Sequence, residues 1–564
     1  MENYDLKCPE FLPVGDHGIY DYYLMNTSRL GDIPVFQHRF RDHMRSEFIC
    51  DIEALACYFH NDLGFCRGDV YTVFAPTSAE SMVVFMALNK LGVTVNFIPP
   101  FFPAQTLSDI MTFTGSKGLT VFDYTALDII DVAAELNVPV LLCSFDTYAL
   151  PVKTDASYNN VIINKLAGSK AEYALYTEVI ARYAGKQTQS VLQNGNDIAV
   201  YMYGGGTTGE SRTIRLSNYA LNMVTYMCCC TNGRPQHPGV DTELGCMPFF
   251  HAFGFVASGL EPLVKGAKIV LLPSFDPGEF IELMKVNHVV QFSGVPNMFR
   301  KLYAHPEWDG PHLASMQICF GGGDDVGPAF MQKFNDCFAK NGSPALLHQG
   351  YGLTECCAVV IKNLRGQNRN GSIGKPLPLF RVEIWDENKK PVPDGRIGEI
   401  AISGPALMAG YLTKDGADGA GLYTDAEGTK WVLSGDYGHK DEDGYFYFDG
   451  RKKRLVIISG YNVYPVDIEH VVTELPFVKE NCPVKGYDAN GHILVRLFVV
   501  LSDDADADDD TYRQMIAQAC AKRLPRYSVP RDIRFLKALP RTRVGKVDFM
   551  RLRQETPDAP IYIE

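Results

Sequence analysis

Asp197-Ile198-Ala199-Val200-Tyr201-Met202-Tyr203 runs directly into Gly204-Gly205-Gly206-Thr207-Thr208-Gly209-Glu210-Ser211-Arg212. The first seven residues are a strand by composition. The glycines that follow let backbone N–H groups approach an anion closely, and the threonine hydroxyls add donors. A Walker A loop needs GxxxxGK[ST]. Gly204 and Gly209 have that spacing, but Glu210 stands in the lysine position. A dinucleotide fingerprint needs GxGxxG, which Gly204, Gly206 and Gly209 satisfy. It also needs an acid about 20 residues on to hold the ribose, and no Asp or Glu occurs between Ser211 and Val240. Thr213–Leu216 reads as strand rather than helix, which weakens both readings. A flexible glycine turn stays open beside a triphosphate clamp, toward which Arg212 and Arg215 tilt the balance.

Outward from this stretch, short apolar runs alternate with longer amphipathic segments. Asp69–Ala75, Val93–Phe97, Gly118–Phe122 and Val138–Phe145 read as strands, and Ser81–Leu91 as a helix. The alternation predicts an α/β protein with largely parallel sheets. The acidic run Asp503, Asp504, Asp506, Asp508, Asp509 and Asp510 follows a strand at His492–Leu501. It reads as a solvated turn into a helix at Thr511–Arg523, whose N-terminus carboxylates stabilise. A domain boundary is expected at Asp449–Arg454, where a short strand at Tyr445–Phe448 and an Asp449-Gly450 turn meet Arg451-Lys452-Lys453-Arg454. The roughly 110 residues beyond it suffice for one small domain.

Composition narrows the class. A chain of 564 residues, 46% hydrophobic and 21% charged, is neither disordered nor fibrous, and it exceeds one ordinary domain. A net charge of −13 argues against a surface built for nucleic acid or anionic lipid. The 15 cysteines are odd in number, include the adjacent Cys228, Cys229 and Cys230, and form no CxxC pair. They read as reduced thiols of a cytoplasmic protein. No signal peptide or integral membrane segment is visible.

The loop gains meaning in company. In order the chain shows Tyr203–Gly209 (YGGGTTG), Pro248–Phe255 (PFFHAFGF), Gly321–Asp324 (GGGD), Gln349–Glu355 (QGYGLTE) and Gly371–Pro376 (GSIGKP). Then come Gly398–Ile400, Gly404–Pro405 and Gly410–Tyr411 (GEI, GP, GY), Ser434–Asp436 (SGD) and Asp449–Arg451 (DGR). Ser459–Pro465 (SGYNVYP) and Leu539–Lys546 (LPRTRVGK) complete the series. Over roughly residues 70–550 it resembles the adenylate-forming superfamily: acyl- and aryl-CoA synthetases, luciferases and the adenylation domains of peptide synthetases. The resemblance implies a large N-terminal domain of stacked α/β subdomains, residues 1–450, and a small mobile α+β C-terminal domain, residues 451–564, hinged near Lys453. It implies a carboxylic acid activated by MgATP to acyl-AMP, then transferred to a thiol, usually that of CoA.

Roles follow by resemblance, residue by residue. Gly206, Thr207, Thr208 and Gly209, with Arg212, would hold the β- and γ-phosphates. Tyr351 would stack on adenine, lined by Gly322, Gly323, Asp324 and Gly352. Thr354 would touch the α-phosphate and Glu355 would ligate Mg²⁺. Asp436, assisted by Arg451, would take the ribose hydroxyls. Lys546 would serve adenylation, and the Ser459-Gly460-Tyr461 turn would serve CoA. These residue types suit the chemistry, because two anions must meet and a lysine and a divalent cation neutralise the charge between them. His251 would sit at the carboxylate end of an acyl pocket formed with Phe250, Phe253, Phe255, Gly323 and Cys356, although a histidine simply packed among aromatics is an equal reading. The phenylalanines favour a medium- or long-chain fatty acid or another bulky apolar acid. Three departures from the family pattern stand out: Gly204-Gly205 replaces hydroxyl residues, Ser211-Arg212-Thr213 replaces Pro-Lys-Gly, and Ser217-Asn218 replaces a Ser/Thr-His pair. Delivery to a separate carrier-protein thiol is the close alternative. A dinucleotide oxidoreductase and a nucleotide-binding protein without catalysis are more distant ones.

Overall fold

The strand expected before the glycine loop forms over Ile198–Tyr203 and pairs antiparallel with Thr213–Ser217. The computed structural model describes residues 11–38, 40–144, 172–191, 193–204, 212–414, 419–458, 461–488, 492–542 and 546–554. Gly206, Thr207, Thr208, Gly209, Ser459 and Gly460 therefore lie outside the described residues. The described chain divides into two units, 11–204 with 212–381 and 403–432, and 382–402 with 433–554. The expected boundary at residues 450/451 falls inside the second unit.

The first unit carries two mostly parallel sheets. One runs Gly410–Tyr411, Thr213–Ser217, Ile198–Tyr203, Thr94–Ile98, Val70–Phe74, Ser116–Phe122, Val140–Cys143, Tyr173–Leu175 in spatial order. Val70–Phe74 and Thr94–Ile98 are buried along their whole length, as central strands of a covered parallel sheet must be. The helix Ala79–Lys90 is buried at every position and capped by Ser78, whose side chain accepts from Ser81 N. The other sheet runs Lys375–Pro376, Ile361–Lys362, Leu347–Tyr351, Ile318–Gly321, Gln291–Gly294, Thr242–Gly245, Lys268–Leu271, Pro34–His38, Arg41–Met44. The strands from Leu347–Tyr351 to Pro34–His38 are parallel, so their C-terminal ends share one edge.

In the second unit, Val478–Tyr487 pairs antiparallel with Ile493–Leu501, which takes Asp532–Phe535 as a parallel neighbour. The side-chain alternation of the central strand is used on both faces. Val495, Leu497 and Val499 pack with Ile468, Val472 and Ile516 from the helices Pro465–Thr473 and Asp509–Arg523. Phe498 and Val500 pack with Phe549 and Leu552 of Phe549–Gln554. Asp508 caps the helix after the acidic run, accepting from Asp510 N and Thr511 N. Among the described residues no cluster of metal-ligating side chains forms, there or elsewhere.

The Asp449-Gly450 turn is corrected. Both residues lie within the strand Phe446–Arg451, paired with Lys430–Lys440. Gly450 has φ +112°, and the register shifts between Tyr437 and Gly438. Turn-like composition here serves a bulged strand. No helix of the described residues is long and apolar enough to cross a membrane. Of the described cysteines, Cys50 and Cys66 are exposed and none is disulfide-bonded.

Candidate functional site

Three segments quoted for their sequence, and a fourth that was not, Val295, leave adjacent parallel strands at the same edge. Thr242–Gly245 leads to Pro248–Phe255, and Gln291–Gly294 leads to Val295. Ile318–Gly321 leads to Gly322–Asp324, and Leu347–Tyr351 leads to Thr354–Glu355. In open α/β sheets ligands bind outside the carboxyl ends of strands. Gly322 N donates to Gly294 O at 3.2 Å. A Cβ on Gly322 would lie 3.6 Å from the Phe253 ring and 3.7 Å from Gly350 O. The Gly-Gly-Gly-Asp segment is thus wedged between the strand ending at Tyr351 and the Phe253 ring. Gly323, exposed and at φ +81°, faces Val295, 3.4 Å from where its Cβ would be. Asp324 is exposed, and its Oδ1 accepts from Asp325 N.

The aromatic segment separates into wall and interior. Phe253 is partly buried and packs against the core, and half-buried His251 lies 4.9 Å from the Phe250 ring, centroid to centroid. Phe250 also meets the exposed Phe101. Phe255 is completely buried among Phe85, Phe97 and Phe249. A π-helical turn, Val256–Leu260, follows immediately, a feature that recurs at functional sites. Phe249 N donates to Thr77 Oγ1 at 3.1 Å, and Thr77 Oγ1 donates to Met247 O at 3.2 Å, so the segment is pinned to the loop after Val70–Phe74.

Tyr351, Thr354 and Glu355 are half-buried and Gly352 is exposed. The turn holding them is tight: a Cβ on Gly352 would lie 1.6 Å from Ala358 O, so only glycine fits. Cys357 and Ala358 adopt φ +58° and +125°, backbone strain of the kind that collects at functional sites. Cys356 is wholly buried, and burial holds its thiol protonated, with the Glu355 charge adding to the effect. That suits a packing role and no nucleophilic one.

The glycine loop starts beside this turn. A Cβ on Gly204 would stand 3.8 Å from Glu355 Oε1. The strand feeding the loop is anchored by Tyr203, whose hydroxyl donates to buried Asn96 Oδ1 at 2.6 Å. Glu355 Oε1 accepts from the Tyr411 hydroxyl at 2.9 Å. The Arg212 guanidinium lies over the Tyr411 ring, 5.0 Å from its centroid. Burial, and then the neighbouring Glu355 charge, push the Tyr411 phenol up to about 12. Tyr411 was quoted from the sequence only as part of Gly410–Tyr411. Its signal was that dipeptide, but its neighbours come from pairing with Thr213–Ser217 across some 200 residues of chain.

In the second unit, Asp436 and Arg451 are cross-strand neighbours, with Arg451 Nη1 2.8 Å from Asp436 Oδ1. Asp436 is wholly buried while Arg451 is 44% exposed. Lys546 is exposed, and its carbonyl accepts from Thr542 N at 2.7 Å, where Arg541 bridges Val547. Lys453 lies within the short 3₁₀ turn Lys452–Arg454, and Tyr461 opens the strand Tyr461–Val463, which pairs with Val456–Ile458.

Comparison with known proteins matches this distribution. The family model for AMP-binding enzymes covers residues 28–412, and that for the AMP-binding enzyme C-terminal domain covers residues 467–546. A long-chain-fatty-acid–CoA ligase of Bacillus subtilis (strain 168) is 33% identical over 362 residues, 64% of this chain and 62% of that protein. Its counterpart from Escherichia coli O6:H1 is 26% identical over 567 aligned positions, 98% of each chain. The crystal structure of ATP-bound MatB from Rhodopseudomonas palustris has a TM-score of 0.78 at 22% identity, covering 96% of this chain and 99% of its own, a likeness of fold.

Proposed function

The chain belongs to the AMP-binding enzyme family, and from that premise we propose that it is an ATP-dependent ligase that converts a medium- or long-chain fatty acid, by way of its acyl-adenylate, to acyl-CoA. The observation that carries the proposal is the placing of Glu355 beside the base of the glycine loop, at the edge where Phe253, Gly322 and Gly323 also lie. One charged end and one apolar wall fit a reaction that joins a phosphate to an apolar acid. The residue roles are part of the proposal. Gly206, Thr207, Thr208, Gly209 and Arg212 hold the phosphates. Tyr351, Gly352, Gly322, Gly323 and Asp324 hold adenine, Thr354 meets the α-phosphate, and Asp436 with Arg451 holds ribose. Magnesium fits the donor set, since it commonly takes one or two carboxylates together with substrate phosphates, and Glu355 is the carboxylate here. When bound it supplies charge neutralisation at the phosphates.

Lys546 neutralises the charge that builds at the α-phosphate during adenylation. Ser459, Gly460 and Tyr461 admit the pantetheine arm of CoA, and Lys453 is the hinge between the two half-reactions. Phe250, His251, Phe253 and Gly323 face the acyl chain, with Phe255 and Cys356 behind them. The reaction is placed in the cytoplasm.

The fatty-acid assignment draws on the apolar character of Phe253 and Val295 and on the two relatives' own names. Pyrophosphate release across a panel of straight-chain and aryl acids, with and without CoA, tests it. Acid-dependent release that peaks with medium or long chains, and acyl-CoA formed when CoA is present, are expected. Preference for short or aryl acids overturns the substrate class. Adenylate formation without CoA consumption transfers the acceptor role to a carrier-protein thiol. No acid-dependent release overturns the reading altogether.

A further inference from the structure

Glu355 is tied to one short segment twice. Its carbonyl accepts from Met408 N at 2.8 Å, and its Oε1 accepts from the Tyr411 hydroxyl at 2.9 Å. Tyr411 is also the ladder partner of Ile214, two residues beyond Arg212. Ile214 Cδ1 in turn stands 3.3 Å from where a Cβ on Gly204 would be. The Tyr411 ring is held against the chain on which it folds back. Its N–H donates to Ala420 O at 2.8 Å, and a Cβ on Gly421 would come within 2.2 Å of the ring. Gly421 therefore leaves the space that the ring fills, and Arg212 lies over the same ring at 5.0 Å. A side chain locked by packing is what a preorganised site uses to aim a neighbour.

We infer that Tyr411 is a positioning residue that aims the Glu355 carboxylate and, through Arg212, couples that carboxylate to the glycine loop. The inference rests on the ligase reading, in which Glu355 holds the metal of MgATP. A phenol is a suitable donor for the task, because it orients the carboxylate without neutralising it. A lysine or arginine in its place would compete with the metal for the same charge. Tyr411 touches neither substrate nor reacting atoms in this account; it acts through Glu355.

The test compares wild type with Tyr411→Phe, which removes one hydroxyl and keeps the ring under Arg212. Mn²⁺ binding in the presence of an ATP analogue not cleavable at the α–β bridge is followed by electron paramagnetic resonance. Affinity for the same analogue is measured by calorimetry with chelator present. Tyr411→Phe is expected to weaken Mn²⁺ binding about tenfold, the scale of one lost hydrogen bond to a charged group. Chelator-resistant nucleotide affinity and the melting temperature are expected to stay as in wild type. In turnover, the Mg²⁺ concentration for half-maximal rate rises while the rate at saturating Mg²⁺ largely recovers. Arg212→Lys keeps the charge but not the plane over the ring, so a shift in the same direction of only about threefold is expected. Unchanged Mn²⁺ binding in Tyr411→Phe overturns the inference, as does equal loss of metal-dependent and chelator-resistant binding. If metal adds nothing to the affinity of wild type for the analogue, the ligase reading fails and this inference fails with it.

Discussion

Glu355 in the first unit and Asp436 in the second are both carboxylates assigned to the nucleotide, yet they are held in opposite ways. Asp436 is wholly buried and faces a permanent cation, Arg451. Glu355 is half-buried and faces a neutral phenol, Tyr411. The difference follows from what each environment demands. A carboxylate removed from water needs an opposite charge, or it is too costly to keep ionised. One that retains solvent can take a neutral partner and keep its negative field for an incoming cation. A third pair lies between them: Asp449 Oδ2 is 2.7 Å from Nδ1 of His439, whose ring stacks on Tyr447. Its partner is charged only over part of the pH range.

The contrast breaks hardest where burial is complete. Arg451→Met leaves Asp436 buried without its cation, and a loss of about 3 kcal/mol is expected. Thermal unfolding monitored on the full chain would read it. Tyr411→Phe serves as the control, with a melt close to wild type because Glu355 can turn to water. A melt for Arg451→Met as high as wild type would mean that burial does not set the choice of partner.

A second comparison separates the carboxylates by function. Glu355→Gln and Asp436→Asn are each expected to lower acid-dependent pyrophosphate release at subsaturating MgATP by tenfold or more, ~1.4 kcal/mol or above. Raising Mg²⁺ should recover part of the Glu355→Gln loss and none of the Asp436→Asn loss, because the contact proposed for Asp436 is to ribose. Equal response to Mg²⁺ in both would contradict the division of roles.

The smallest effect belongs to His439. The hydrogen bond to Asp449 raises its pKa above the usual histidine value, although burial opposes the rise. The folded state therefore holds the proton more tightly than the unfolded chain does. Its contribution is full below the ordinary value of roughly 6.5 and is lost as pH rises through the higher folded value. Wild type should out-melt His439→Gln most clearly near about pH 6, by under ~1 kcal/mol, and the gap should close by about pH 9. A gap that widens with pH would reverse the assignment.

Much of this was readable from local chemistry. Ile198–Tyr203, the helix capped by Asp508, and the strand-to-loop character of the quoted segments all rest on neighbours a few residues apart. Tyr411 could not be given a role that way, because its partners Glu355, Arg212 and Ile214 arrive through sheet pairing. Phe253 and Phe255 illustrate another limit. Two residues apart in an aromatic run, one packs beside Gly322 and the other is sealed among Phe85, Phe97 and Phe249. The segment passes from a single α-turn into a π-turn, so no constant helical period sorts its faces. Asp449-Gly450 misled for a related reason: the same glycine that makes a turn also lets a bulged strand continue.

Gly204 carries a consequence for how freely this loop can vary. Its neighbour in the site, Gly352, is confined by a carbonyl 1.6 Å from any added carbon, whereas among the described residues a side chain at 204 would meet the tip of Ile214 at 3.3 Å and then Glu355 Oε1 at 3.8 Å. The described surroundings of Gly204 thus leave room for a small side chain once the tip of Ile214 gives by a few tenths of an ångström. A change to serine asks the tip of Ile214 to shift slightly, and its Cβ would stand 3.8 Å from the carboxylate that Tyr411 already holds. Variation at position 204 can therefore change what surrounds Glu355 while the strand beneath it, and the whole first sheet, stay as they are.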